Sequence, residues 1–538
     1  MKAFTIWHLG ILAILIITIG HDIKAQNFQY QGSIHNDTTW MADTLIITGN
    51  VLIDSNVTLT ILPGTFIHII GYFSIQSYGA IHAIGSISDS IIFTHLDTFD
   101  HADTSTTKGG WHGIRFLPRS STDTSFFKYC RIENGKAIVP GSWIPYWDKP
   151  DNRGGNIYAV DFGSIVIENS YIGNGRSKAE GGGLFFEDGN YVLIENCHFK
   201  YNRCYIEGGG AAILKVNNLY IRQNLFNYNK VLDVGPDYIT GGGAAIFIRY
   251  ALGYDAYARI ESNRVFNNYS PFHMIGDGYY NADVINNIIC NNFGHGIYNA
   301  HYFNHRVYSN NIIVNNVGMG FGGITILSPN VKLYNNIIRE NYRYPGDLFE
   351  QIYFMGDQNP QVNYCNVQLG YEGEGNIDLE PLFVDPTEGA GLDYDGLAAD
   401  WSLLDGSPCV NTGTPDTTGL NLPATDLLGN SRIYGIRVDM GAIENQMVVG
   451  LPQNPLVNAR VQVSPNPFAQ SFKVIAPGRD KISSISLFNQ NGQQIATETM
   501  MPFEQMLVFD LRNQSPGLYL LVTRFADGST ETTKLVKY

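Results

Sequence analysis

One short string recurs through the middle of the chain. It reads FKYCRIENG from Phe127, IENSYIGNG from Ile167, IENCHFKYN from Ile194, IRQNLFNYN from Ile221, IESNRVFNN from Ile260, VINNIICNN from Val284, VYSNNIIVNN from Val307 and LYNNIIREN from Leu333. A weaker copy, VNYCNVQLG, starts at Val362. Most copies lie roughly 23 to 29 residues apart and two steps are about 40, the spacing of stacked coils that share one core. Aligned on their first apolar residue, the copies place Cys130, Ser170, Cys197, Asn224, Asn263, Asn287, Asn310, Asn336 and Cys365 at one position. Two residues on stand Ile132, Ile172, Phe199, Phe226, Val265, Ile289, Ile312, Ile338 and Val367. Five residues on stand Gly135, Gly175, Asn202, Asn229, Asn268, Asn292, Asn315 and Asn341.

These columns predict an all-β chain wound as a parallel β-helix, three short strands per coil, with coils stacked about 4.8 Å apart. Inward apolar residues then pile into one continuous core. An inward Asn at a turn bonds its own backbone and the Asn of the next coil, and Asn also tolerates the left-handed conformation of a sharp bend. A third column is glycine: Gly154 and Gly155, Gly181 to Gly183, Gly208 to Gly210, Gly241 to Gly243, Gly294 and Gly296, and Gly322 and Gly323. His295 aligns with Gly182, Gly209 and Gly322, which makes it a substituted turn residue rather than a catalytic histidine.

Composition narrows the partners. With 34 Lys plus Arg against 49 Asp plus Glu, a formal charge of -15 opposes nucleic acid as a partner, because phosphate neutralisation needs clustered cations. Residues 1–25 carry Lys2, an apolar run from Ile11 to Ile19 and a small residue at Ala25, and read as an export signal. Beyond it there is no candidate transmembrane segment in the mature chain. Six cysteines with no CxxC neither staple the chain nor suggest zinc.

The repeats resemble the right-handed parallel β-helix superfamily that includes pectate lyases, polygalacturonases and alginate lyases. The opening stretch VLIDSNVTLTILPGTFIHIIG, followed by GGWHGIRF from Gly109, is similar to the entry coils of such secreted proteins. The resemblance implies a right-handed parallel β-helix solenoid over residues 26–444. Within it GSPCVNTGTPD, DLLGNSR and DMGAIE, between Gly406 and Glu444, look like a closing segment that continues or caps the open end. The Gly294, His295, Gly296 element is similar to one in polygalacturonases, but Asp277 supplies a single carboxylate where a pair is expected. Arg306 stands in place of the family's Arg-x-Lys, so the acid and base roles go unfilled. After a linker over 445–460, residues 461–538 hold VSPNPF, ISSISLFNQNGQQI and FDLRNQSPGLYLLVTRFADG, and resemble the type A C-terminal sorting domain of the type IX secretion system. That resemblance implies a small antiparallel β-sandwich, the type IX secretion machinery as a partner, and a secreted or outer cell-surface location.

Chemistry on a β-helix sits where the turns lengthen. Between the second column and the glycine turn run KAIVPGSWIPYWDKPDNR, RSKAE, RCYIE and KVLDVGPDYIT. Trp143, Tyr146 and Trp147 are of a size and shape to stack on sugar rings. Stacking order brings Arg176, Arg203 and Lys230 together and sets Glu180 beside Glu207. Two such carboxylates share a proton or hold a hard cation such as Ca2+. With Arg203 neutralising a uronate carboxylate and Lys178 as base, β-elimination is the matching reaction. The plainer alternative is a set of solvated outward charges. The sequence therefore points to a secreted or surface β-helix that binds a polysaccharide or surface glycan. A calcium-assisted lyase acting on a uronate polymer and a noncatalytic adhesion or structural protein are the alternatives.

Overall fold

The computed structural model describes residues 27–118, 123–141, 149–232, 242–249, 256–278, 281–299, 306–319, 322–327, 330–355, 360–446, 461–475, 482–498, 506–526 and 528–538. Among them, 39 strands join in one continuous, almost wholly parallel sheet that winds as a solenoid. One coil is made of Leu184–Glu195, His198–Lys200 and Arg203–Cys204. It lies in register on Ala211–Arg222, Leu225–Asn227 and Lys230–Val231 of the next. Each long strand turns at a left-handed residue, Asp188 in one coil and Lys215 in the next.

The inside is built as the columns require. Ile132, Ile172, Phe199, Phe226, Val265, Ile289, Ile338 and Val367 are all buried in one core, and the Phe199 and Phe226 rings stack at 4.5 Å. Amide ladders run beside them. Each Asn Nδ2 donates to the next Oδ1 along Asn224, Asn263, Asn287, Asn311 and Asn336 at 2.9–3.0 Å. The second ladder runs Asn202, Asn229, Asn268, Asn292, Asn316 and Asn341 at 2.9–3.1 Å. Spare donors go to backbone carbonyls of the preceding coil, so buried amides at the corners are satisfied.

Two copies are displaced from the expected frame. The copy from Val307 is one residue longer, so Asn311, Asn316 and Ile313 occupy the ladder and core positions assigned to Asn310, Asn315 and Ile312. Asn310 and Asn315 instead take φ of 54° and 57°, at turn positions matched by Asn286, Asn335 and Asn291. The left-handed bend thus belongs to the residue before the inward Asn. The TGGG copy is also out of frame: Gly242 lies beside Glu207, and Ala244 and Ala245 take the rungs of Gly209 and Gly210.

The closing segment does not simply continue the helix. Residues 371–377 cover the last coil, where Asn376 receives the Cys365 N–H. The chain then runs back along the outside. Trp401, Leu403, Cys409, Met440, Ala442 and Ile443 pack on the outward face of Phe266, Ile288, Cys290, Ile312, Val314 and Ile337. The outward turn asparagines hold this strap: Asn267 donates to the Tyr394 carbonyl, Asn291 to Gly389 and Asn310 to Asp439. Arg432 locks the far end through Glu444 at 2.6 Å.

The chain divides into two compact units, residues 1–448 and 449–538. In the second, alternating apolar residues give a three-stranded sheet (Gln462–Ser464, Ser471–Ile475, Met506–Asp510) and a four-stranded sheet (Ile482–Asn489, Gln494–Glu498, Gly517–Phe525, Thr530–Lys537), all antiparallel. Phe468, Phe472, Val474, Leu487, Leu521 and Leu535 form the core between them.

Candidate functional site: a cationic ladder and a buried acidic pair

In an extended strand successive side chains point to opposite faces, so an inward Asn directs its successor outward. The successors on adjacent coils are Lys136, Arg176, Arg203, Lys230, Tyr269, Phe293, Val317 and Tyr342, each in register with the next. The first four are cations and the next two aromatic. Lys136 and Arg176 are buried, Lys136 donating to the carbonyls of Asp100 and Lys108 at 2.9 and 2.6 Å. Arg203 is exposed, while Lys230 and Lys178 are half-buried.

Among the described residues, none of Arg176, Lys178, Arg203 and Lys230 is ion-paired to a carboxylate. Burial lowers the pKa of Arg176, Lys178 and Lys230, and the neighbouring Arg203 lowers Arg176 and Lys230 further. Burial and then Arg176 bring Lys136 down to about 8. The ladder continues into rings: Lys230 Nζ lies 4.2 Å from the Tyr269 centroid, Tyr269 stacks on Phe293 at 5.0 Å, and Tyr344 meets Phe293 edge-on at 5.8 Å.

Glu180 and Glu207 do sit one coil apart, but they join a different set of partners. Glu180 Oε2 is 2.9 Å from Arg153 Nε and Oε1 is 3.6 Å from Arg249, which also lies 3.3 Å from Glu207. Arg153 occupies the turn position of Glu180 in the coil before, and pairs as well with Glu187, itself held by Lys215. Both guanidinium groups lie over rings, Arg153 over Phe185 and Arg249 over Phe247. Burial raises both carboxyls, Glu207 to about 8, with Arg249 opposing. A calcium ion takes 6–8 oxygens; here two carboxylates face two arginines, a poor match. Among the described residues no group of three or more His, Cys, Asp and Glu side chains is placed to hold a metal.

Lys178 and Arg203 form no ion pair with Glu180 or Glu207 among the described residues, so the acidic pair and the cationic ladder are separate groups. Trp143, Tyr146 and Trp147 lie outside the described residues. His295 keeps its alignment with Gly322 but lies within the strand Phe293–Asn299 rather than in a turn; it is buried with Nδ1 3.0 Å from Thr325 Oγ1, and burial lowers its pKa to about 4. Asp277 is not on the surface at all: it shares the inward column of Ile248 and Ile326. There it meets Arg306 Nε at 3.1 Å and the Tyr308 hydroxyl at 2.5 Å.

Several members escaped the sequence reading. Lys136 was detectable as the successor of Gly135, and Arg153 as the residue aligned with Glu180 and Glu207. Arg249 and Tyr344 come from coils of different length and carried no such signal. Neither did His273, whose ring, in the slot left by Gly276, lies between Phe247 and Tyr298.

Residues 462–538 match the family described as the secretion system C-terminal sorting domain. No curated protein matches the chain. The match gives the protein a type IX sorting domain and with it a secreted or cell-surface location. Among the described residues no helix is long and apolar enough to cross a membrane.

Proposed function

We propose that this secreted surface protein binds an acidic glycan along its cationic ladder, without cleaving it. The observation that carries the reading is the register of Arg176, Arg203 and Lys230 on adjacent coils, with no carboxylate paired to them among the described residues. In a chain of net charge -15, stacked like charges oppose one another, and an anion laid across them offsets that repulsion. Arg203 presents planar donors matched to a carboxylate or sulfate, and Lys230 a point charge. The neighbouring rings supply apolar contact of the kind sugars use.

A lyase needs a base beside its charge-neutralising group. Lys178 is the ladder's candidate, and Glu180 and Glu207 are already engaged by arginines. The test is retention of the signal-free protein on immobilised polyuronate, sulfated and neutral polysaccharides over a salt gradient, with ultraviolet absorbance followed for unsaturated product. Salt-sensitive retention on the acidic supports with a flat absorbance trace is expected. Equal retention on the neutral support would overturn the binding reading, and rising absorbance would replace it with the lyase.

A further inference from the structure

The order of residues along the ladder carries information about the ligand beyond its charge. From Arg203 the rungs run Lys230, Tyr269, Phe293, Val317 and Tyr342. Five steps of parallel stacking span roughly 24 Å. Cations occupy one end only. On the far side of Arg203 the ladder is closed, because Lys136 and Arg176 are buried and Lys136 is tied to the 97–109 segment through Asp100 and Lys108. Thr104 Oγ1 and the Tyr205 hydroxyl, 3.2 Å apart, fasten that segment to the coil of Arg203.

At the other end the rings change orientation. Tyr269 and Phe293 stack with planes 9° apart, so each covers a face of the other, and Lys230 covers the remaining face of Tyr269. Tyr344 stands at 66° to Phe293 and is 56% exposed, more open to solvent than the half-buried Tyr269, Phe293 and Tyr342. Arg343 beside it lies over Phe349 at 5.6 Å. A six-membered sugar ring in an extended chain advances by about one rung of the ladder, so a short oligosaccharide reaches from Arg203 to Tyr344.

Resting on the acidic-glycan reading, we infer that the ligand is a mixed glycan lying parallel to the helix axis, its acidic residues over Arg203 and Lys230 and an uncharged, apolar-faced ring on Tyr344. A uniformly acidic chain uses only the cationic half of this surface. A neutral chain uses only the aromatic half.

The experiment compares three pentasaccharides by calorimetric titration: all galacturonate; two galacturonates followed by three 6-deoxyhexoses; and all neutral. The proteins are the wild type, Tyr344→Ala and the double variant Arg203→Ala with Lys230→Ala. The mixed pentamer is expected to bind tightest. Tyr344→Ala, at an exposed position, is expected to weaken it about threefold to tenfold and leave the all-acidic pentamer unchanged. If Tyr344→Ala changes neither ligand, or both equally, the mixed-glycan inference is overturned, while acidic-glycan binding stands provided the double variant loses the all-acidic pentamer. If the double variant binds both acidic pentamers as the wild type does, both readings fall.

Discussion

Arg249 bridges Glu180 and Glu207 across one coil boundary, 3.6 Å from the first carboxylate and 3.3 Å from the second. Both acids are buried while Arg249 is partly exposed. Its loss leaves Glu207 without an arginine, while Glu180 keeps Arg153 at 2.9 Å. Arg249→Ala is expected to lower unfolding stability by roughly 2 kcal/mol, because a buried charge loses its partner, and denaturant titration checks it.

The same pair gives a pH dependence with a definite sign. Burial raises Glu207 from 4.5 to about 8. Its contribution to stability is then fully present below the unfolded value and lost as pH climbs through the folded one. Glu207→Gln keeps the shape without the titration. Between those two pH values the melting temperature of the wild type is expected to fall relative to the variant; parallel curves would refute the assignment.

Inside the helix, Asp277 and Arg306 form a fully buried ion pair, with Ile248 and Asn299 on the rungs either side of Asp277. Asp277→Ala leaves a guanidinium buried without its carboxylate and is expected to cost about 3–5 kcal/mol. The double change Asp277→Leu with Arg306→Met is expected to recover most of that, since apolar replacement of a whole pair is often neutral. Urea unfolding of the three proteins measures it.

The amide ladder predicts a larger effect than a single hydrogen bond. Asn268 Oδ1 accepts from the Asn229 backbone and side chain, and Asn268 Nδ2 donates to Asn292 and to the Phe226 carbonyl. Asn268→Ala leaves several buried groups unpaired and is expected to cost at least about 2 kcal/mol. The urea midpoint should drop without loss of the strand signature in circular dichroism.

The fold was legible because a stacked coil repeats one environment, so each inward position leaves the same residue type at the same phase. The same logic recovered the neighbours Arg176, Arg203 and Lys230 and the alignment of His295 with Gly322, though His295 lies in a strand and not in a turn. It failed where coil length varied: the extra residue in VYSNNIIVNN moved Asn311 and Asn316 into the ladder, and TGGG slid two residues out of frame. The partners of Glu180 and Glu207 were hidden for a related reason. Register reveals which residues share a column, whereas Arg249 reaches the pair from a neighbouring strand. The position of the strap was not legible, because nothing in its sequence says which face it covers. Its docking signal, the first Asn of each Asn-Asn pair, is written on the helix.

The central claim, that Arg203 and Lys230 bind an acidic glycan, is tested most directly by titrating galacturonate pentamer into the wild type and into the double variant Arg203→Ala with Lys230→Ala. Each lost charged contact is expected to weaken binding at least about tenfold, with little change in melting temperature because neither side chain is ion-paired among the described residues. Equal affinities for the two proteins would contradict the account.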